Sequence, residues 1–287
     1  MRIATVRLFA SAFLGLASAP GLAHDLWLEP SDFSPEPGRA VALHLHLGHG
    51  RDIEAIGRPA DRLLRFSVTD PGGREAPIRG VDGQKPAGIL RPPEPGLQVV
   101  GYHTKPLVHR LSARRFRRVL TEEGLEQVRQ SRLMSGTDDR DTTERYWRCL
   151  KALISVGEDS SGGRDRALGL PLELVAAFDP RRVDGGSPLP LTLLFRGRPL
   201  AGAQVVAHSL VEPHRRQEAR SGPDGTLVLA LEGPGPWRVH AVHMIPAEPA
   251  TGVEWESFWT ALSFELPAAA TPPRGAPAPT SVTGTTD

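Results

Sequence analysis

The chain has a single cysteine, Cys149, so no disulfide can form within it. Stability must come from burial. An excess of one charge is lacking too. The 34 lysines and arginines stand against 33 aspartates and glutamates, which gives no global attraction to nucleic acid or to an anionic membrane. Standard catalytic signatures are missing: there is no G-x-S-x-G elbow, H-E-x-x-H helix, G-x-x-x-x-G-K-[ST] loop or C-x-x-C pair, and the acidic residues are too scattered to nominate a glycosidase pair. The expectation is a protein that is not an enzyme. No apolar run reaches the roughly 20 residues that span a bilayer, so no transmembrane span is expected in the mature chain.

The apolar run that does occur, Leu8 to Ala19, follows Arg2 and Arg7 and precedes Gly21-Leu22-Ala23. This reads as a secretion signal over residues 1–23, cleaved after Ala23, and implies a periplasmic destination. A cut after Ala19 also fits the small-residue rule, but Pro20 would then follow it. Cleavage leaves 287 − 23 = 264 residues, one large or two ordinary domains, with 34 − 2 = 32 basic groups against 33 acidic ones.

Residues 24–111 alternate between short apolar runs and Pro/Gly turns. In Val41-Ala42-Leu43-His44-Leu45-His46-Leu47 the odd positions share one strand face and His44 and His46 the other. Leu63 to Val68 and Leu97 to His103 follow the same rule. Residues 112–158 change period and predict a helical insertion. Ser112 and Thr121 are placed to cap helices, Asp141 and Glu144 resemble a capping box, Glu144 and Arg148 fit an i,i+4 pair, and Gly157 suits a helix end. Strands resume over residues 159–267, at Leu172 to Ala177, Leu189 to Phe195, Gln204 to Val211, Thr226 to Leu231, Trp237 to His243 and Phe258 to Leu266. Residues 268–287 are Ala, Pro, Thr, Gly and Ser, the composition of a disordered tail. The fold class expected is mainly β: two antiparallel β-sandwich domains, the second transthyretin-like or Greek-key-like, with a helical insertion between them.

Histidine carries the functional signal. Cleavage after Ala23 would make His24 the amino terminus and put an α-amine beside an imidazole, with Asp25 as a further oxygen donor or support. His44 and His46 lie roughly 7 Å apart on one strand face, and His49 follows in a Gly-His-Gly turn. His103 and His243 can complete such a site. His240 and His243 point to opposite faces of a regular strand, so both cannot serve one ion. Nitrogen donors suit Ni, Co, Cu or Zn better than Mg or Ca. The competing reading makes these histidines the solvent face of an edge strand. His109, His208 and His214 read as surface residues. Arg114-Arg115-Phe116-Arg117-Arg118 reads as a solvated helix face, Tyr146, Trp147, Trp255 and Trp259 as core, and Cys149 as a buried, unreactive thiol.

Several short pieces occur in order: Ala23-His24-Asp25-Leu26-Trp27-Leu28-Glu29-Pro30, Gly101-Tyr102-His103-Thr104-Lys105-Pro106, Glu122-Glu123-Gly124-Leu125-Glu126, Glu144-Arg145-Tyr146-Trp147-Arg148, Lys151-Ala152-Leu153, Ala241-Val242-His243-Met244 and Trp255-Glu256-Ser257-Phe258-Trp259. Together the set resembles the exported bacterial proteins of domain-of-unknown-function family 4198, once filed with the nickel-uptake component NikM. The resemblance implies an accessory to metal uptake or handling, with a membrane metal transporter or another envelope protein as partner. It supplies no catalytic residues. The alternative is a metal-free interaction module whose sandwich edges dock an envelope protein.

Overall fold

The computed structural model describes residues 25–49, 52–59, 61–157, 163–183 and 187–268. The expected signal segment, His24 and all but the first residue of the expected tail lie outside the described residues. The first part of the chain forms β1 (Asp25–Pro30), β2 (Val41–His49), β3 (Asp52–Ile56), β4 (Leu63–Thr69), β5 (Glu75–Pro77), β6 (Gly88–Leu90), β7 (Gly96–Thr104) and β8 (Leu107–Leu111). Two helices follow, α1 (Ala113–Glu122) and α2 (Glu126–Met134), and then the long strand β9 (Thr142–Val156). The remainder is β10 (Leu172–Ala176), β11 (Leu189–Phe195), β12 (Arg198–Pro199), β13 (Gln204–Ser209), β14 (Arg216–Arg220), β15 (Thr226–Leu229), β16 (Gly235–Pro246) and β17 (Trp255–Leu266).

These strands make three sheets. A small sheet runs β1-β2-β3 with β6 beside β2, and another runs β10-β11-β12 with β15 beside β11. Between them lies a nine-stranded sheet in the order β14-β13-β16-β17-β9-β7-β4-β5, with β8 also paired to β9. The protein is mainly β, as expected, and its two sandwiches share this long sheet. Every pairing in it is antiparallel except β17 with β9, whose register runs from Trp255 opposite Glu144 to Ser263 opposite Ala152. That parallel pair fuses the two halves of the chain.

Alternation along β9 shows how the halves stack. Leu150, Ala152, Ile154 and Val156 enter one core with Leu28, Val41, Leu43 and Leu45 of the first small sheet. Leu153 enters the other with Leu172, Leu174, Leu191 and Leu193 of the second. Since neighbouring side chains leave a strand on opposite faces, the two small sheets cover opposite sides of the long one. The helices share the side of the first small sheet: Phe116, Val119, Leu120 and Val128 pack on Val242, Met244, Trp255 and Trp259.

The helical reading of residues 112–158 is therefore correct only to Met134. Ser112 caps α1 by accepting from the Arg115 amide, but Thr121 lies inside that helix, and α2 begins at Glu126 after Leu125, which makes no side-chain cap. From Thr142 the chain is extended. Asp141 accepts from the Ala113 amide, and Glu144, buried, pairs with His109 at 2.9 Å instead of with Arg148. The capping signals lose because Cys149 to Val156 is buried on both faces of a sheet interior, where a largely apolar run suits a strand. Cys149 is fully buried, as expected, though on a strand, and burial pushes its thiol up to about 12.

Candidate functional site

β1 is the edge of its small sheet and lies against β9 and β17, with Ser263 donating its hydroxyl to the Leu28 carbonyl. Leu26, Trp27 and Leu28 all belong to the core under the first small sheet, and Asp25 and Trp27 also reach β16. Arg238 of β16 stacks 4.5 Å above the Trp27 ring, and its Nη2 lies 2.8 Å from Asp25 Oδ2. Two residues along the same strand, on the same face, His240 places Nε2 3.6 Å from Glu123 Oε2 at the C-cap of α1. His208, the neighbour from β13, stacks on His240 with ring centroids 5.6 Å apart and planes 8° from parallel. The result is a buried seam of mixed charge where β1, the turn after α1, β13 and β16 meet.

Within the seam, ligating atoms of Asp25, Glu123 and His240 all lie within 4.8 Å of one another, the one such group of three found among the described residues. Burial pulls the His240 imidazole down, but Asp25 and Glu123 outweigh it and hold it above the ordinary histidine value. Its Nδ1 is buried with no hydrogen-bond partner among the described residues. Burial pushes His208 down to about 3, with Arg238 acting in the same direction. Arg148, stacked 4.6 Å over Trp259, is held below its usual range by burial and is drawn back up by Tyr146, Asp25, Glu144 and Glu123.

Gly124 sets the turn that brings Glu123 in. Its φ of +63° is left-handed, and an added Cβ would come within 2.4 Å of Gln204 Oε1. Gln204 in turn donates to the Glu122 carbonyl at 2.9 Å. Gly124→Ala should therefore cost about 1–3 kcal/mol, through left-handed strain and displacement of Gln204. Urea unfolding measures it, and an unchanged midpoint would show that the turn tolerates a side chain.

The histidines singled out in the sequence fall in several places. His24 lies outside the described residues, as does the side chain of His49. His44 and His46 do sit together, with ring centroids 6.0 Å apart. His46 also stacks on Trp27 at 5.4 Å and approaches Glu29 to 3.9 Å, and burial lowers its pKa. His103 and His243 do not join them. Both lie on the side of the long sheet that faces the second small sheet, His103 beside Arg65 and His243 edge-on to Phe195 at 4.5 Å. Burial lowers both. Of the pair His240 and His243 it is therefore His240 that faces acidic groups. His208, read as a surface residue, is half-buried in the seam, whereas His109 keeps a side chain 36% exposed and bonds to Glu144 from there.

A family model described as a domain of unknown function, DUF4198, matches residues 21–245. No curated protein matches the chain. The matched span holds every residue of the seam.

Proposed function

The chain belongs to the DUF4198 family, a description that carries no activity, and from the geometry of its seam we propose an exported protein that binds a transition-metal ion. In this reading Ni, Co, Cu or Zn is held as cargo by His240, Asp25 and Glu123, in the periplasm, as an accessory to metal uptake or handling. The observation that carries it is three donors from three separate elements within 4.8 Å, one of them a buried imidazole whose Nδ1 has no partner among the described residues. The same two carboxylates that favour a proton on His240 would favour a divalent cation in its place. His24 precedes Asp25 directly in sequence, so a cleaved amino terminus would add its amine and imidazole next to this donor set.

Electrostatics limits the affinity. Arg238 and Arg148 already balance Asp25 and Glu123, so an arriving ion brings charge that those carboxylates only partly offset. A site of moderate strength suits an ion that must be passed on to a membrane transporter or another envelope protein.

The test is metal content and affinity of the exported protein with its native amino terminus, beside His240→Ala, His24→Ala and the double variant His44→Ala/His46→Ala. Near-stoichiometric metal on the unaltered protein, lost in His240→Ala and weakened in His24→Ala, is the expected result. Loss only in the double variant would move the site to β2. No binding above background by any version would overturn the proposal and favour the metal-free module that docks an envelope partner.

A further inference from the structure

On the other side of the long sheet a second buried group has no part in the seam. Lys151 stands in the middle of β9, between Gly101 of β7 and Leu262 of β17, and is 1% exposed. Its Nζ lies 2.8 Å from Asp165 Oδ1 and 3.0 Å from Oδ2, so it faces the carboxyl group across both oxygens. Glu173 of β10 places Oε1 3.1 Å from the same nitrogen. The Asp165 side chain is 0% exposed and that of Glu173 1%.

We infer that Lys151 and Asp165 join in an intramolecular isopeptide bond, with Glu173 as the proton carrier. The two oxygen distances put Nζ within roughly 3–3.5 Å of the Asp165 carboxyl carbon, the range of a near-attack arrangement. The amide of Arg166 donates to Oδ1 at 2.7 Å and that of Ala176 to Oδ2 at 2.8 Å. These are the donors that would stabilise an oxyanion growing on that carbon. Water, the leaving group, has no bulk pool in this interior to drive the reverse reaction.

The step balances without a co-reactant. The ammonium of Lys151 gives one proton to the Glu173 carboxylate and becomes a neutral amine. Its lone pair attacks Cγ of the protonated Asp165 carboxyl, forming the Nζ–Cγ bond. A second Nζ proton then passes through Glu173 to the departing hydroxyl, the C–O bond breaks, and one water leaves. Products are an amide, a water and a protonated Glu173. Burial raises Asp165, which favours the protonated carboxyl this route needs. Glu173 stays positioned by accepting from the amides of Leu168, Gly169 and Leu170 at 2.6, 3.0 and 3.1 Å. The bond would clamp the segment leading into β10 onto the central strand.

Mass spectrometry of the purified exported protein, denatured, decides the matter, with the amino terminus read from the same sample. The expected mass is the sequence mass less one water. Trypsin cuts after Arg148, Arg164 and Arg166. It should release a peptide beginning at Cys149 that is uncut at Lys151 and carries Asp165-Arg166 as a branch. Asp165→Ala should restore the lost water, and Glu173→Gln should leave the bond unformed while retaining the β circular-dichroism spectrum. The full sequence mass in the unaltered protein, or a water loss that persists in Asp165→Ala, overturns the inference whether or not either variant folds well.

Discussion

Relative to the chain before the Lys151–Asp165 bond forms, Lys151→Met should lower the free energy of unfolding by about 3–5 kcal/mol, the usual cost of removing one partner from a buried ionic group. Methionine keeps the length and most of the volume of the lysine stem, so lost packing contributes little. What changes is that Asp165 and Glu173 are left in the interior without their shared cation, which pairs with both carboxylates and donates to the carbonyls of Arg166 and Leu174. Two like charges in one dry site cannot both persist, and taking up a proton there has its own cost. A triple variant, Lys151→Met/Asp165→Leu/Glu173→Met, separates charge from packing. It should recover much of the loss, because apolar replacements of a whole buried ionic group are often neutral or stabilising. Urea unfolding followed by tryptophan fluorescence reads both. A single variant as stable as the triple, or a loss below about 1 kcal/mol, would show that water or rearrangement relieves the carboxylates.

How much of this was legible depends on whether the signal is local. The β2 pattern is local: Val41, Leu43 and Leu45 are buried and His44 and His46 share the other face, as strict alternation requires. The opposite facing of His240 and His243 is equally a matter of counting residues. Which of the two meets an acid is not, because Asp25, Glu123 and His240 come together only through the docking of β1 and of the turn after α1. The strand β9 was obscured for a different reason. Leu150, Leu153 and Ile154 fit a helix face as well as a doubly buried strand, and Asp141 and Glu144 imitate a helix start. Only the parallel pairing with β17, formed by a segment more than a hundred residues later, settles the choice. Lys151 figures in the sequence only within the short piece Lys151-Ala152-Leu153, and nothing local links it to Asp165 or Glu173. A lysine inside an apolar run reads as a local interruption until its partners are in place.

The seam should also make the protein acid-sensitive through His208. With its imidazole pushed down to about 3 in the fold, against an ordinary value of 6.5, the unfolded chain binds the proton that the folded one refuses. Stability therefore falls as pH drops from near 6.5 toward 3, by about 1.4 kcal/mol for each unit, or on the order of 3 kcal/mol at pH 4.5. His46, His103 and His243, also lowered, act in the same direction. His240 acts oppositely. Raised by Asp25 and Glu123, it contributes stability below the ordinary histidine value that is lost as pH climbs through its folded value. Burial is the first cause at His208, with Arg238, His240 and Arg216 adding positive charge and only Asp25 opposing them. His208→Gln keeps a planar polar group against His240 and removes the titration. In chelator-treated protein its urea midpoint should fall much less between pH 7 and pH 4.5 than that of the unaltered chain. Equal falls in the two proteins would place the acid response elsewhere.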